Sequence, residues 1–228
     1  MKKERVLSKF EWILWTISVA IVTAAFWVPQ QKDWLTLIAS LIGVTSLLFI
    51  AKGKVIGQVL TVVFSVFYGV VSYFFKYYGE MATYLLMTAP VALVTVFSWL
   101  KHPYGDSGTV KIAEKMSLKA VCLMATLTIA VTTGFYFLLK ALGTANLFVS
   151  TVSVATSFLA CYLALLRRPT YALAYATNDV VLVVLWTLAS FESLSYIPMV
   201  CCFVAFLLND LYAFFNWTKM KRKQNPDA

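Results

Sequence analysis

Eight stretches of almost unbroken hydrophobicity, separated by polar turns, fill nearly the whole chain: Phe10–Val28, Trp34–Ile50, Val55–Phe75, Ala82–Leu100, Ala120–Leu139, Leu147–Leu166, Tyr171–Ser190 and Tyr196–Trp217. A hydrocarbon core ~30 Å thick needs about 20 helical residues at ~1.5 Å rise, which is the length of these runs. They lack the period-two alternation of a barrel strand, and in lipid only helices or closed barrels satisfy the backbone. The pattern predicts an all-α integral membrane protein with eight transmembrane helices. With so little mass outside the membrane, the helices themselves must carry the function.

The connections sort the runs into groups. Most have only a few residues, whereas Lys101–Lys119 is long and polar and divides the chain into halves. The second to fourth runs resemble the sixth to eighth. Each triplet has a basic turn after its first helix, Lys52-Gly53-Lys54 and Arg167-Arg168-Pro169. Each has a tight aromatic and acidic turn after its second, Tyr77-Tyr78-Gly79-Glu80 and Phe191-Glu192-Ser193. Lys54 to Tyr77 and Arg168 to Phe191 are both separations of 23 residues, and both triplets close on Phe-x-Trp, at Phe97-Ser98-Trp99 and Phe215-Asn216-Trp217. Equivalent turns fall on one side, so the repeats are parallel, and the fifth run is the crossing that allows it. Parallel repeats about an axis normal to the membrane are a transporter architecture, with the substrate between them. The expected organisation is 1+3+1+3. An N-terminal segment and extra helix cover 1–33, the first three-helix repeat 34–100, a loop and linker helix 101–146, the second repeat 147–218 and a basic tail 219–228.

Composition agrees, with 61% hydrophobic and 13% charged residues against roughly 45–50% and 25% in soluble domains. The net charge of +9 could suit a nucleic-acid partner, but its distribution argues for topology. With the N-terminus cytoplasmic, sixteen of the nineteen basic residues fall on the cytoplasmic side, and only Lys32, Lys76 and Lys140 lie outside. Short loops biased in this way set orientation by the positive-inside rule, which places both termini in the cytoplasm. Cys122, Cys161, Cys201 and Cys202 sit in apolar runs and pack as small apolar residues, so no disulfide, metal or cofactor is expected.

Candidate chemistry lies in polar residues that lipid would penalise. Gln58, Thr61, Ser65, Tyr68 and Ser72 follow helical spacing down one face of the third run. In the seventh, Tyr171, Tyr175 and Asn178 share a face, with Asp179 and Trp186 on a neighbouring one. In the eighth, Cys202, Asn209, Tyr212 and Asn216 form a stripe beside Asp210. Asp179 and Asp210 read as the only acids well inside the runs, and an intramembrane carboxylate is a functional candidate by default. A primary amide brings four hydrogen-bonding positions, which singles out Gln58, Asn178 and Asn209. Thr61 and Ser65 serve equally as helix-packing hydroxyls and stand with the two aspartates as supporting candidates. No His cluster, catalytic carboxylate pair or nucleophile constellation is present, so an enzyme is not expected.

In their order, these residues resemble one family. Gly53-Lys54, Gly57-Gln58, Tyr68-Gly69, Tyr73, Tyr78-Gly79 and Trp99 look like the N-terminal half of the PnuC-type vitamin transporters. Arg168-Pro169, Asn178 eight residues before Trp186, Asn209-Asp210-x-Tyr212 and Trp217 are similar to that family's C-terminal triplet. The resemblance covers Trp34 to Trp217. It implies a SWEET-like 3+1+3 fold, often a homotrimer, carrying nicotinamide riboside across the bacterial inner membrane by facilitated diffusion. A cytosolic nicotinamide riboside kinase then traps the nucleoside as its phosphate.

The chemistry of that substrate fits the candidates. A flat cationic pyridinium suits the aromatic faces of Tyr68, Tyr73, Trp186 and Tyr212, at ~0.5–2 kcal/mol when desolvated. The amides of Gln58, Asn178 and Asn209 can pair with its carboxamide and ribose hydroxyls. No Lys or Arg falls within the central runs to neutralise a phosphate, so phosphorylated substrates should be excluded. The sequence departs from the family where Val184 replaces the Glu of a Glu-x-Trp, and where Phe-Ser-Trp replaces a Gly-Trp ending. Transporters of thiamine or riboflavin, and a SWEET-type sugar uniporter, are the alternative readings.

Overall fold

The computed structural model describes residues 7–113 and 116–225; of the basic residues that set the expected orientation, Lys2, Lys3, Arg5 and Lys115 lie outside them. Among the described residues eight helices are long and apolar enough to cross a membrane. They are α1 (Lys9–Phe26), α2 (Trp34–Ala51), α3 (Val55–Phe74), α4 (Tyr78–Leu100), α5 (Leu118–Ala141), α6 (Leu147–Leu165), α7 (Tyr171–Ser190) and α8 (Ile197–Gln224). Several begin where the sequence supplies a cap. Ser8 and Glu11 form a capping box on α1, Asp33 accepts from Leu35 N at 3.0 Å on α2, and Ser117 accepts from Ala120 N on α5. These bonds satisfy N–H groups that have no partner within the helix.

The start of α4 differs from expectation. It begins at Tyr78 rather than Ala82, which takes Glu80 out of the supposed turn and buries it completely. Within α4, Thr83–Thr88 form a π turn just ahead of Pro90, which has no N–H and whose ring clashes with the preceding turn. Tyr84, Met87 and Thr88 on this turn are buried. At the other end of the chain, α8 runs past the expected limit of Trp217 to Gln224.

The packing centres on α2, which meets α3 and α8, and on α7, which meets α8 and α6. α4 lies against α3 and α6. α1 lies outside against α2 and α8, and α5 touches α6 and the start of α4, turning only Leu139 inward.

At the end bearing the basic turns the two halves grip each other reciprocally. Trp99 at the end of α4 donates its indole N–H to Ala164 O at 3.0 Å, and Trp217 on α8 donates to Ile50 O at 2.8 Å. Their neighbours repeat the pattern: Ser98 Oγ donates to Leu165 O at 3.2 Å, and Asn216 Nδ2 to Ala51 O at 2.8 Å. Ile50 and Ala51 stand 114 positions before Ala164 and Leu165, so one pair of last-turn carbonyls is met twice, each time from the other triplet. Ile50 O and Ala164 O also take a turn amide each, from Gly53 N at 2.8 Å and Arg167 N at 2.9 Å, so the indole is a second donor there. Ala51 O and Leu165 O, past the last helical donor, take the side chain.

The linker joins this grip instead of standing off as a free loop. Val110 N donates to Gly53 O at 2.9 Å and Ala113 N to Arg167 O at 3.1 Å. Gly53 and Arg167 are again 114 positions apart, and both are left-handed, at φ 67° and 56°. Val110 and Ile112 are buried. Gln224 secures them from α8, accepting from Ile112 N at 2.8 Å and donating to Val110 O at 3.1 Å.

Trp99→Phe and Trp217→Phe are each expected to lower the unfolding midpoint in detergent, because each loses one buried hydrogen bond worth about 0.5–1.5 kcal/mol, while the carbonyl keeps its turn amide. The two indoles lie 5.3 Å apart, so the double variant should depart from additivity. Unchanged midpoints in both single variants would show that the reciprocal bonds do not stabilise the fold.

Candidate functional site

Polar side chains of α3, α4, α7 and α8 converge on one buried core. At its middle is a cavity of about 40 Å³, whose wall includes Tyr84, Thr88, Asn178, Asp179 and Asp210. The Asp179 and Asp210 carboxyl groups lie within hydrogen-bonding reach of each other, each side chain almost wholly buried. Two carboxyl groups in contact in a low-dielectric interior must share a proton or hold a cation between them. Asp179 Oδ2 and Asp210 Oδ1 have no hydrogen-bond partner among the described residues. Asn178 fixes the adjoining wall, its Oδ1 accepting from Thr156 Oγ1 at 2.8 Å and Ser157 Oγ at 3.0 Å. Those bonds tie α7 to α6 and leave the amide nitrogen as the free donor.

Away from the basic turns the core becomes aromatic. Trp186 is fully buried and donates its indole N–H to the Tyr68 hydroxyl at 2.9 Å. Tyr77 lies against the indole with ring centroids 4.6 Å apart, and Tyr196 at 5.7 Å. Tyr68 meets Tyr84 at 4.2 Å and Phe64 at 5.5 Å, and both of those rings line the cavity. One continuous column therefore runs from the indole to the carboxyl pair. Glu80 sits beside it, 0% exposed, next to Tyr68, Tyr84 and Ser153. Neither of its oxygens completes a hydrogen bond of normal geometry. An acid enclosed this completely is costly, with the Tyr68 and Ser153 hydroxyls beside it, so this third carboxyl group is a functional candidate.

The structure divides the residues singled out in the sequence. Tyr68, Asn178 and Trp186 lie in the column, with Asp179 and Asp210 at its base and Thr61 on the cavity wall. The Thr61 hydroxyl is engaged by Gly57 O at 3.1 Å and Ser46 Oγ at 2.8 Å, which is a helix-packing arrangement. Asn209 is turned toward α1, its Nδ2 donating to Ser18 Oγ at 2.8 Å. Tyr212 donates to Glu11 Oε1 of α1 at 2.9 Å, where Lys52 also binds. Gln58 and Ser65 are buried on α3 but do not line the cavity. Tyr73 is 55% exposed on the outer flank, against Phe74 and Tyr78. Val184, where the Glu-x-Trp departs from the family pattern, is 45% exposed, so that departure lies outside the column.

Sequence reasoning missed Phe64, Tyr84, Thr88, Ser157, Phe206 and Glu80. Glu80 and Glu11 are acids buried within helices, so Asp179 and Asp210 are not the only ones. The available signals were Pro90 in the middle of an apolar run, which marks a distorted helix, and an acid placed directly ahead of that run.

The chain matches the family model described as nicotinamide mononucleotide transporter over residues 33–219. It is 28% identical over 218 residues to the nicotinamide riboside transporter PnuC of Neisseria mucosa, covering 93% of this chain and 82% of that protein. It is 24% identical over 214 residues to the nicotinamide riboside transporter PnuC of Haemophilus influenzae, covering 93% and 92%. A crystal structure of the vitamin B3 transporter PnuC aligns with a TM-score of 0.81 at 27% identity, covering 96% of this chain and 94% of the other. With the family match running from the cap of α2 into α8, and the fold shared across nearly the whole length, the chain belongs to the nicotinamide mononucleotide transporter family, the multi-pass membrane transporters that include PnuC.

Proposed function

We propose that this protein carries nicotinamide riboside across the bacterial inner membrane by facilitated diffusion, binding it in the column between the triplets α2–α4 and α6–α8. The observation that carries this reading is the junction of an aromatic cage around Trp186 with three buried carboxyl groups, Glu80, Asp179 and Asp210, in one core. A delocalised pyridinium is held by ring faces and favoured by nearby negative charge. The same core favours the riboside over its phosphate. No Lys or Arg lines the cavity, and a phosphate would meet carboxyl groups without a counter-cation. A cytosolic kinase that phosphorylates the imported riboside would therefore make entry irreversible.

The reciprocal bonds at Ile50 and Ala164 support the 1+3+1+3 arrangement of two parallel repeats. The basic turns, set by the positive-inside rule, support a cytoplasmic location for that end and for both termini. The resemblance to PnuC supports a homotrimer, with α5, which buries only Leu139 in its own chain, available to neighbouring copies. Native mass spectrometry is expected to find three chains, and a monomer in mild detergent would refute this.

Binding measured by titration calorimetry tests the site. Trp186→Ala should weaken riboside binding strongly while Trp186→Phe retains part of it. Asn178→Ala should cost about 1–3 kcal/mol, or roughly 5- to 150-fold in affinity. Asn209→Ala should leave affinity near wild type and instead lower the unfolding midpoint, because its amide holds α1. Reduced nicotinamide riboside, which lacks the positive charge, should bind more weakly than the oxidised form. Equal affinity for the two forms would show that shape and hydrogen bonds dominate, and tight binding of glucose alone would favour a sugar porter.

Counterflow in proteoliposomes without ion gradients tests the energetics. Exchange of the riboside should proceed at full rate, and nicotinamide mononucleotide should not exchange. Dependence on a Na⁺ or H⁺ gradient would overturn facilitated diffusion and make Asp179 and Asp210 the coupling pair.

A further inference from the structure

A second cleft opens at the basic end, separate from the polar column. Its volume is about 470 Å³, within the few hundred to about a thousand Å³ of small-ligand sites. Lys52 and Lys54 contribute from the turn between α2 and α3, Lys223 and Gln224 from the extended end of α8, and Ser107 and Thr109 from the linker. The linker wall is a tight hairpin, with Tyr104 N donating to Thr109 O at 2.8 Å, Ser107 Oγ to Tyr104 O at 2.6 Å, and the Ser107 and Thr109 hydroxyls 2.7 Å apart. Glu11 also lines the cleft, where its carboxylate is paired with Lys52 at 2.9 Å, and the two charges offset each other. No acid pairs with Lys54 or Lys223 among the described residues, so two cations remain on two different walls. Lys54 also starts α3, which has no side-chain cap, and the unmatched N–H groups of a helix start add partial positive charge.

We propose that this cleft binds a phosphate-bearing anion, with the Lys54 and Lys223 ammonium groups on its oxygens and the Ser107–Thr109 hairpin as the polar wall beside it. A lysine ammonium is a compact point charge suited to phosphate. Basic loops that only set topology need positive charge near the membrane, not a cleft that sets two unpaired cations on two different walls. The same chemistry is presented by a soluble phosphate monoester and by the headgroup of an anionic lipid. The cleft shares no residue with the wall of the central cavity, so the assignment stands apart from the identity of the transported substrate. Gln224, which lines the cleft, also holds Val110 and Ile112, so a seated anion lies against the ties that keep the linker on both basic turns.

Hydrogen–deuterium exchange on the full chain in phosphatidylcholine nanodiscs at fixed ionic strength tests this, with inorganic phosphate and ribose 5-phosphate as soluble probes. Saturable protection of segments 104–113 and 216–224, weakened at least tenfold in Lys54→Ala/Lys223→Ala, is the result expected for a soluble ligand. Nanodiscs containing phosphatidylglycerol, with no phosphate added, form the lipid arm; protection there that the double variant loses assigns the site to a headgroup. Neither lysine side chain makes a hydrogen bond or ion pair among the described residues, and Lys54→Gln/Lys223→Gln provides a milder second variant. Absence of protection with every probe, or equal protection in wild type and both double variants, overturns the proposal.

Discussion

The last carbonyls of α2 and α6 are the constraint on which the rest of the structure depends. A helix end leaves these groups short of donors. The turn amides of Gly53 and Arg167 reach Ile50 O and Ala164 O, and the remaining donors come from the chain's own helices. Trp99, Ser98, Trp217 and Asn216 supply them across the molecule. An indole has few rotatable bonds and one N–H, so each such bond fixes the axial register of a whole helix. Trp217 sets α8 against α2, and Asp210 lies two helical turns further along the same helix. Trp99 sets α4 against α6, and α6 then holds α7 through Thr156 and Ser157 on Asn178. The meeting of Asp179 with Asp210 follows from these registers.

The column that results is graded. At one end the indole of Trp186 is enclosed by Tyr68, Tyr77 and Tyr196; at the other two carboxyl groups face each other, with Tyr84 between. Acids this deep are hard to justify as packing, because apolar residues of similar size would cost less. Where a cation takes the place of the shared proton, they offer it negative potential in a medium that screens little. A flat organic cation is the ligand for which aromatic faces and carboxyl groups contribute together, and a phosphate is the one for which they oppose. The π turn in α4 belongs to this grading, because it carries Tyr84 and Thr88 and follows directly from Pro90.

Much of this was legible in the sequence, for physical reasons. Helix number follows from bilayer thickness, and the matching basic turns and terminal Trp residues mark the two places that bond reciprocally. Trp186, Tyr68 and Asn178 could be named because a large aromatic or an amide inside a span has few other uses. The stripes on α8 misled, because periodicity says which residues share a face but not which neighbour that face meets. Asn209 and Tyr212 share a face that meets α1, whereas Asp210, one position along, points into the core. Glu80 was hidden by a boundary: an acid ahead of an apolar run reads as a turn, and only the structure extends the helix through it. The linker looked polar by composition, yet Val110 and Ile112 are buried because backbone pairing with Gly53 and Arg167 draws them in.

The two ends of the column are held by different forces. The cavity of about 40 Å³ has room for water, whereas small-molecule sites run from about 300 Å³ upward, so a ligand of that size enters only if side chains or helices part. At the basic end that separation breaks hydrogen bonds from Trp99, Trp217, Val110 and Gln224, of which the two indole bonds are buried and costly to leave unmade. At the aromatic end the closure around Trp186 consists mainly of ring contacts with Tyr77, Tyr196 and Phe75, worth ~0.5–1.5 kcal/mol each beyond their burial. A ring can leave such a contact by rotating about its side-chain bonds, without dismantling a helix end. Opening the aromatic end separates rings and the Trp186–Tyr68 hydrogen bond, whereas opening the basic end parts the linker and both reciprocal grips.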